Sequence, residues 1–148
     1  MSSVDEIDIK IVKKLEKDGR ASFREIAEDL DVSEGTVYNR VNRMEKEGII
    51  KGFSARSDSM KLGKDLEAVI NLRVEGEHLV EVEEEISEWE PVRCVYDVTG
   101  EYDVILIARF DTRSSLNGFI KKIISLDHVE RSVTHLVLNV EKEDFRTF

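Results

Sequence analysis

The 148-residue chain has one cysteine, one proline, no glutamine, and no apolar run longer than Val104 to Ala108. A lone Cys94 allows neither an intrachain disulfide nor a cysteine metal knuckle. Five apolar residues fall far short of the ~20 that a membrane helix needs. The opening MSSVDEID also lacks the basic-then-apolar order of a secretion signal. A cytoplasmic protein without a membrane partner is the expectation. GxGxxG, P-loop, HExxH and CxxC patterns are all missing, so nucleotide and zinc chemistry lack their usual scaffolds. His78, His128 and His135 lie apart in the sequence and read as isolated side chains. The chain is expected not to be an enzyme, with no cofactor and no metal.

What is present is charge, unevenly placed. Net charge is −10, but residues 1–56 carry only −1 of it and residues 57–148 the remaining −9. Residues 40–64 run the other way, at +4, through Arg40, Arg43, Lys46, Lys51, Arg56, Lys61 and Lys64. An acidic average therefore conceals a basic stretch of the kind that meets phosphate.

Apolar spacing divides the chain at the same place. Ile7, Ile11, Val12 and Leu15 form a helical stripe over Val4 to Lys17, stopped by Asp18-Gly19. Ser22 with Glu25 three residues on is a capping box opening a second helix with Ile26, Ala27 and Leu30 inward. After Asp31-Val32, Ser33 caps a third helix with Val37, Val41 and Met44 at i, i+4 and i+7, ending at Gly48. Two short helices, a tight turn and a third helix make a helix-turn-helix pattern. IIKGFSA then reads as a wing or connecting strand into a looser stretch, Ser57 to Asp65.

From Leu66 the period changes to two. Leu66, Ala68, Ile70, Leu72 and Val74 alternate along a first strand. Leu79, Val82, Ile86 and Trp89 follow at helical spacing, with seven glutamates between residues 77 and 90, and Pro91 closes the helix. Val92–Thr99 and Asp103–Phe110 form a hairpin around GEY, Leu116 to Ile123 a second helix, and Val129–Val140 a last strand. The β-α-β-β-α-β order predicts a ferredoxin-like sandwich. Its third strand is apolar on both faces, and Val133 and Val137 oppose Leu136 and Leu138 on the fourth, which predicts self-association through the uncovered face.

The third helix holds the chemistry. With Val37, Val41 and Met44 inward, Glu34, Gly35, Thr36, Asn39, Arg40 and Arg43 are left to meet a partner. Thr, Asn and Arg read base edges and phosphates, and a recognition helix presents its N-terminal half to the major groove. Lys46 and Lys51, with Arg56, extend the phosphate-binding charge. Glu34 suits the helix dipole but repels phosphate unless it accepts from a cytosine amino group. Gly35 costs ~1 kcal/mol of helix propensity and has no side chain to read a base.

DEIDIKIVKKLEKDGR, SFREIAEDLDVSEGTVYNRVNRMEKEGIIKGF and VTGEYDVIL occur in that order, and with them the whole chain resembles the Lrp/AsnC, or feast/famine, family of transcriptional regulators. The resemblance implies an α+β protein: a winged helix-turn-helix DNA-binding domain over 1–52, a β linker over 53–65, and a ferredoxin-like RAM domain over 66–148 for ligand sensing and oligomerisation. It implies double-stranded DNA as partner and a homodimer made sheet to sheet, in some members an octamer. It also implies an effector, usually an amino acid, near the β2–β3 hairpin, which here maps to Thr99, Gly100, Glu101, Tyr102 and Asp103 with Thr134 as a neighbour. Bare amides around Gly100 can meet a carboxylate, and Glu101 or Asp103 can hold an ammonium. Equally, Gly100 can serve only to turn the hairpin and Asp103 only to cap it. Two other functions stay open at this point. A siroheme decarboxylase is similar in overall fold, and an adaptor would use the winged helix for protein contacts.

Overall fold

The computed structural model describes residues 4–148; positions 1–3 of the first domain expected from sequence lie outside the described residues. The chain forms two compact units. One contains the residues up to Arg56 together with Glu143–Phe148, and the other is Ser57–Lys142.

The first unit has three helices, α1 (Glu6–Lys17), α2 (Phe23–Leu30) and α3 (Glu34–Lys46). α1 begins two residues later than its apolar stripe suggests because Asp5 caps it. The Asp5 side chain accepts from the Asp8 amide and the Asp8 carboxylate from the Asp5 amide, a capping box written with two aspartates. α2 opens on the Ser22–Glu25 box and closes on Asp31 in the left-handed conformation, φ 53°. That tight turn delivers the chain to Ser33, which accepts from the Thr36 amide and starts α3. Ile11, Leu15, Ile26, Ala27, Val37, Val41 and Met44 fill the core between the three helices. The tail Glu143–Phe148, which the sequence places in the second domain, belongs to this unit. The Thr147 and Phe148 amides donate to the Glu16 carboxylate at 2.8 and 3.1 Å, and Lys13 lies over the Phe148 ring.

IIKGFSA forms no strand among the described residues, nor does the remainder of 53–65. β-prone side chains do not make a strand without a neighbouring backbone to complete the ladder.

The second unit is a four-stranded antiparallel sheet, order β2-β3-β1-β4, built from β1 (Leu66–Val74), β2 (Val92–Asp97), β3 (Val104–Phe110) and β4 (Val129–Leu136). Helices α4 (Leu79–Ser87) and α5 (Arg113–Ile124) lie over one face. Ala68, Ile70, Leu72 and Val74 alternate inward on β1; Leu66, Ala68, Ile70 and Leu72 stand opposite Phe110, Ala108, Leu106 and Val104 of β3, and Val74 opposite Val129 of β4. Val82 and Ile86 of α4 and Phe119 and Ile123 of α5 close that core. Phe119 meets the rings of Phe110 and Trp89 edge-on at 5.1 and 5.4 Å.

β4 stops at Leu136 rather than Val140, because its partner β1 begins at Leu66; the Val137 amide donating to the Glu67 carbonyl is where the pairing ends. On the sheet face away from the helices stand Val69 and Asn71 of β1, Ile105 and Ile107 of β3, Cys94 and Tyr96 of β2, and Val133 and His135 of β4. The Asn71 side-chain oxygen, buried among them, accepts no hydrogen bond.

Candidate functional site

Two places hold the residues singled out by sequence, one in each unit. In the first, the helical period of α3 puts Val37, Val41 and Met44 on the core side and Gly35, Asn39, Asn42 and Lys46 in one line opposite. Gly35, Asn39 and Lys46 are exposed, as are Glu34 and, just beyond the helix, Lys51. Thr36 is half-buried, its hydroxyl 2.8 Å from that of Ser33, so it is part of the helix start as well as of the surface.

Arg40 and Arg43 are not the free cations that the sequence suggests. Arg40 Nη1 donates to Asp5 at 2.6 Å and to Asp8 at 2.8 Å, and Arg43 Nη2 donates to the other oxygen of Asp8 at 2.5 Å. Asp8 is fully buried. Burial pushes its carboxyl pKa up, but the Asp5 amide and the two guanidiniums outweigh that and hold the group below its ordinary value. The two arginines thus neutralise Asp5 and Asp8 and tie α3 to α1. Nothing in the helical pattern of α3 reveals this, since the partners lie some thirty residues away on another helix.

Two α3 residues missed from sequence lie on or beside the exposed line. Asn42 follows Asn39 by three residues. Tyr38 is 53% exposed, with its ring edge-on to Phe23 at 6.2 Å. The signal for both was the helical period itself, extended from the apolar residues to the face opposite them.

In the second unit, residues 98–103 join β2 to β3, with Gly100 at φ 130°, a conformation that disfavours any side chain. Asp103 is bound into the sheet. Its amide donates to the Leu72 carbonyl, its carbonyl accepts from Val98, and its carboxylate accepts from the Val74 amide, each at 2.9 Å. The hairpin is in this way fastened to the end of β1. Thr99, Gly100 and Glu101 are exposed and Tyr102 is half-buried.

Thr134 is not brought to the hairpin. It pairs with Ile70 in mid-strand, on the side of the sheet that the helices cover, four positions from the Val74 end that Asp103 holds. The β4 residue that does reach the hairpin is Arg131, 3.5 Å from Glu101 and with its guanidinium 5.9 Å from the centre of the Tyr102 ring. Alternation along β4 could have excluded Thr134, because it shares the parity of the inward positions.

His78 and His128, read as isolated, stack face to face with ring centres 3.4 Å apart. Among the described residues no helix is long and apolar enough to cross a membrane.

Comparison with known proteins agrees with both halves. Residues 4–51 match the winged helix-turn-helix DNA-binding family, and residues 67–147 the Lrp/AsnC ligand binding domain. An uncharacterised HTH-type transcriptional regulator of Pyrococcus abyssi is 47% identical over 97% of both chains. The HTH-type transcriptional regulator Ptr1 of Methanocaldococcus jannaschii is 38% identical over 95% of both. A Neisseria meningitidis transcriptional regulator, solved with L-Met, has the same fold. Its TM-score is 0.86 at 24% identity, over 97% of this chain and 96% of that one. With both of its domains matched in order along nearly the full length of these regulators, the chain belongs to the Lrp/AsnC family of HTH-type transcriptional regulators.

Proposed function

We propose that the protein regulates transcription by reading duplex DNA with α3 and responding to an amino-acid effector at the β2–β3 hairpin. The observation that carries the first part is the surface line of Gly35, Asn39, the half-buried Asn42 and Lys46 on a helix whose opposite side is core. Gly35 at the start of that line lets the helix approach a groove closely, Asn39 and Asn42 offer the donor and acceptor pair that matches adenine, and Lys46 meets phosphate. Thr36, Tyr38 and Lys51 flank the contact, and Glu34 discriminates against a phosphate at the helix start. Arg40 and Arg43 act by holding α3 against α1 through Asp5 and Asp8, which fixes the face that α3 presents.

At the hairpin, Arg131 supplies the guanidinium for an effector carboxylate, and Glu101 or Asp103 the carboxylate for its ammonium. Thr99, Gly100 and Tyr102 form the surrounding surface. L-Met bound to the Neisseria meningitidis relative supports a small amino acid as the class. Two copies pair through the open sheet face, where Val69, Ile105, Ile107 and Val133 and the unpartnered Asn71 oxygen need cover. A dimer presents two α3 helices to half-sites about one helical turn apart, and an effector that favours one assembly over another changes how those helices are spaced.

Selection from a random duplex pool followed by footprinting tests the reading. A recovered pseudo-palindrome with half-sites separated by about one turn, protected at both, is the expected result. Recovery of no sequence over background would contradict it and return the adaptor to consideration.

A further inference from the structure

The cluster formed by Glu75, His78 and His128 has no part in the DNA or hairpin readings. Each offers a ligand atom, and the three atoms lie within 4.8 Å of one another. We infer that they form a binding site for a borderline first-row divalent cation of the zinc, nickel or cobalt class. The inference is independent of DNA binding.

Three separate elements assemble the cluster. Glu75 follows β1, His78 ends the short 3-10 turn Gly76–His78 that leads into α4, and His128 precedes β4. Their backbones are joined, because the Glu75 amide donates to the His128 carbonyl at 3.0 Å and the His78 amide to the Glu75 carbonyl at 2.9 Å. His128 has φ 71°, where glycine or asparagine sits with less strain. Among the described residues only Asp31 shares that departure for a non-glycine, and Asp31 closes a helix. The conformation at His128 turns its ring onto His78.

The donor set determines the class of ion. Two imidazoles with one carboxylate suit zinc, nickel, copper and cobalt, whereas calcium and magnesium require oxygen throughout. Glu75 lies 2.9 Å from His128 Nδ1 and Glu81 lies 3.3 Å from His78 Nδ1. An ion bound by Glu75 and His128 takes the place of the hydrogen bond between them. Glu81 then remains beside His78, where it can orient that ring.

The face-to-face rings at 3.4 Å direct their lone pairs in parallel, so loading requires the rings to turn about their side-chain bonds. Metal–nitrogen and metal–oxygen bonds of about 2.0–2.2 Å bring the donors closer than their present spacing. The side chains of His78 and His128 are 34% and 32% exposed, which leaves them room for that rotation and leaves a position for water on the ion. Glu77, Glu81, Glu83, Glu84 and Glu85, on the same stretch of chain with no lysine or arginine among them, favour the approach of a cation.

The test is a Co²⁺ titration of the full chain with Mg²⁺ in excess to occupy carboxylate-only sites, followed by visible absorption and by calorimetry. One equivalent per chain, with a visible band and competition by Zn²⁺, is expected. His78→Ala and His128→Asn, the second chosen because asparagine tolerates the backbone, should each weaken binding by about 10-fold or more. Glu75→Gln should weaken it in the same direction, with unchanged circular dichroism in all three. His135→Ala should bind as the wild type does. Absence of saturable binding below about 100 µM, retention of wild-type affinity in His78→Ala and His128→Asn, or an equal loss in His135→Ala would overturn the assignment.

Discussion

Arg43 of α3 donates to the buried carboxylate of Asp8 on α1 at 2.5 Å, and that contact joins the first turn of α1 to the helix proposed to read DNA. The other oxygen of Asp8 accepts from Arg40, so one carboxylate fixes two successive turns of α3. Asp8→Ala leaves two half-buried guanidiniums without it. Because both reach some water, the loss should lie below the full value for a broken buried pair, at about 2–3 kcal/mol. Urea denaturation measures it, and a loss under about 0.5 kcal/mol would show the network to be dispensable.

The same carboxylate makes stability depend on acid. The Asp8 pKa is lowered on folding from its ordinary 3.8, so in the acid range the unfolded chain binds more protons than the folded one. Its contribution is complete above the unfolded value and is lost as pH falls through the folded one, which places the loss below about pH 5. Denaturation at several pH values should show wild-type stability falling in that window and Asp8→Asn falling less steeply. Equal slopes in the two proteins would remove Asp8 as the cause.

At the hairpin, the charge of Asp103 and its hydrogen bonding can be separated. Asp103→Asn keeps an acceptor for the Val74 amide and should fold with stability within about 1 kcal/mol of wild type. Asp103→Ala frees that amide and should lose about 1–2 kcal/mol. If the carboxylate holds an effector ammonium, both variants lose the response to amino acids while retaining DNA binding. A response that survives in Asp103→Asn would assign the ammonium to Glu101.

The open sheet face makes a claim about assembly. Ile107→Glu places a charge in the middle of it, between Val69 and Cys94 on the neighbouring strands, and should shift the protein from dimer to monomer in light scattering at micromolar concentration. A wild-type protein that is already monomeric there would contradict the proposed interface.

Much of the fold was legible because local signals and topology rules agreed. The Ser22 and Ser33 caps, the inward residues Val37, Val41 and Met44, and the strand alternation of β1 each appear in the structure. What escaped the sequence was long-range pairing. Arg40 and Arg43 looked like free cations because Asp5 and Asp8 are distant in sequence. His78 and His128 looked isolated because fifty residues separate two rings that stack. Thr134 was placed by neighbourhood, although strand parity sends it to the covered face and leaves Arg131 at the hairpin. IIKGFSA has the composition of a strand, and the isolated chain gives it no ladder.

The α3 face lined by Gly35, Asn39, Asn42 and Lys46 is proposed to read sequence. Fluorescence anisotropy of the wild type and of Asn39→Ala and Lys46→Ala, on the duplex upstream of the protein's own gene and on a scrambled duplex at two salt concentrations, tests it most directly. Wild type should prefer the upstream duplex, and Asn39→Ala should lose about 1–3 kcal/mol of that preference. Lys46→Ala should weaken binding to both duplexes and reduce the salt slope by about one. Equal affinity of the wild type for both duplexes, or unchanged preference in Asn39→Ala, would contradict it.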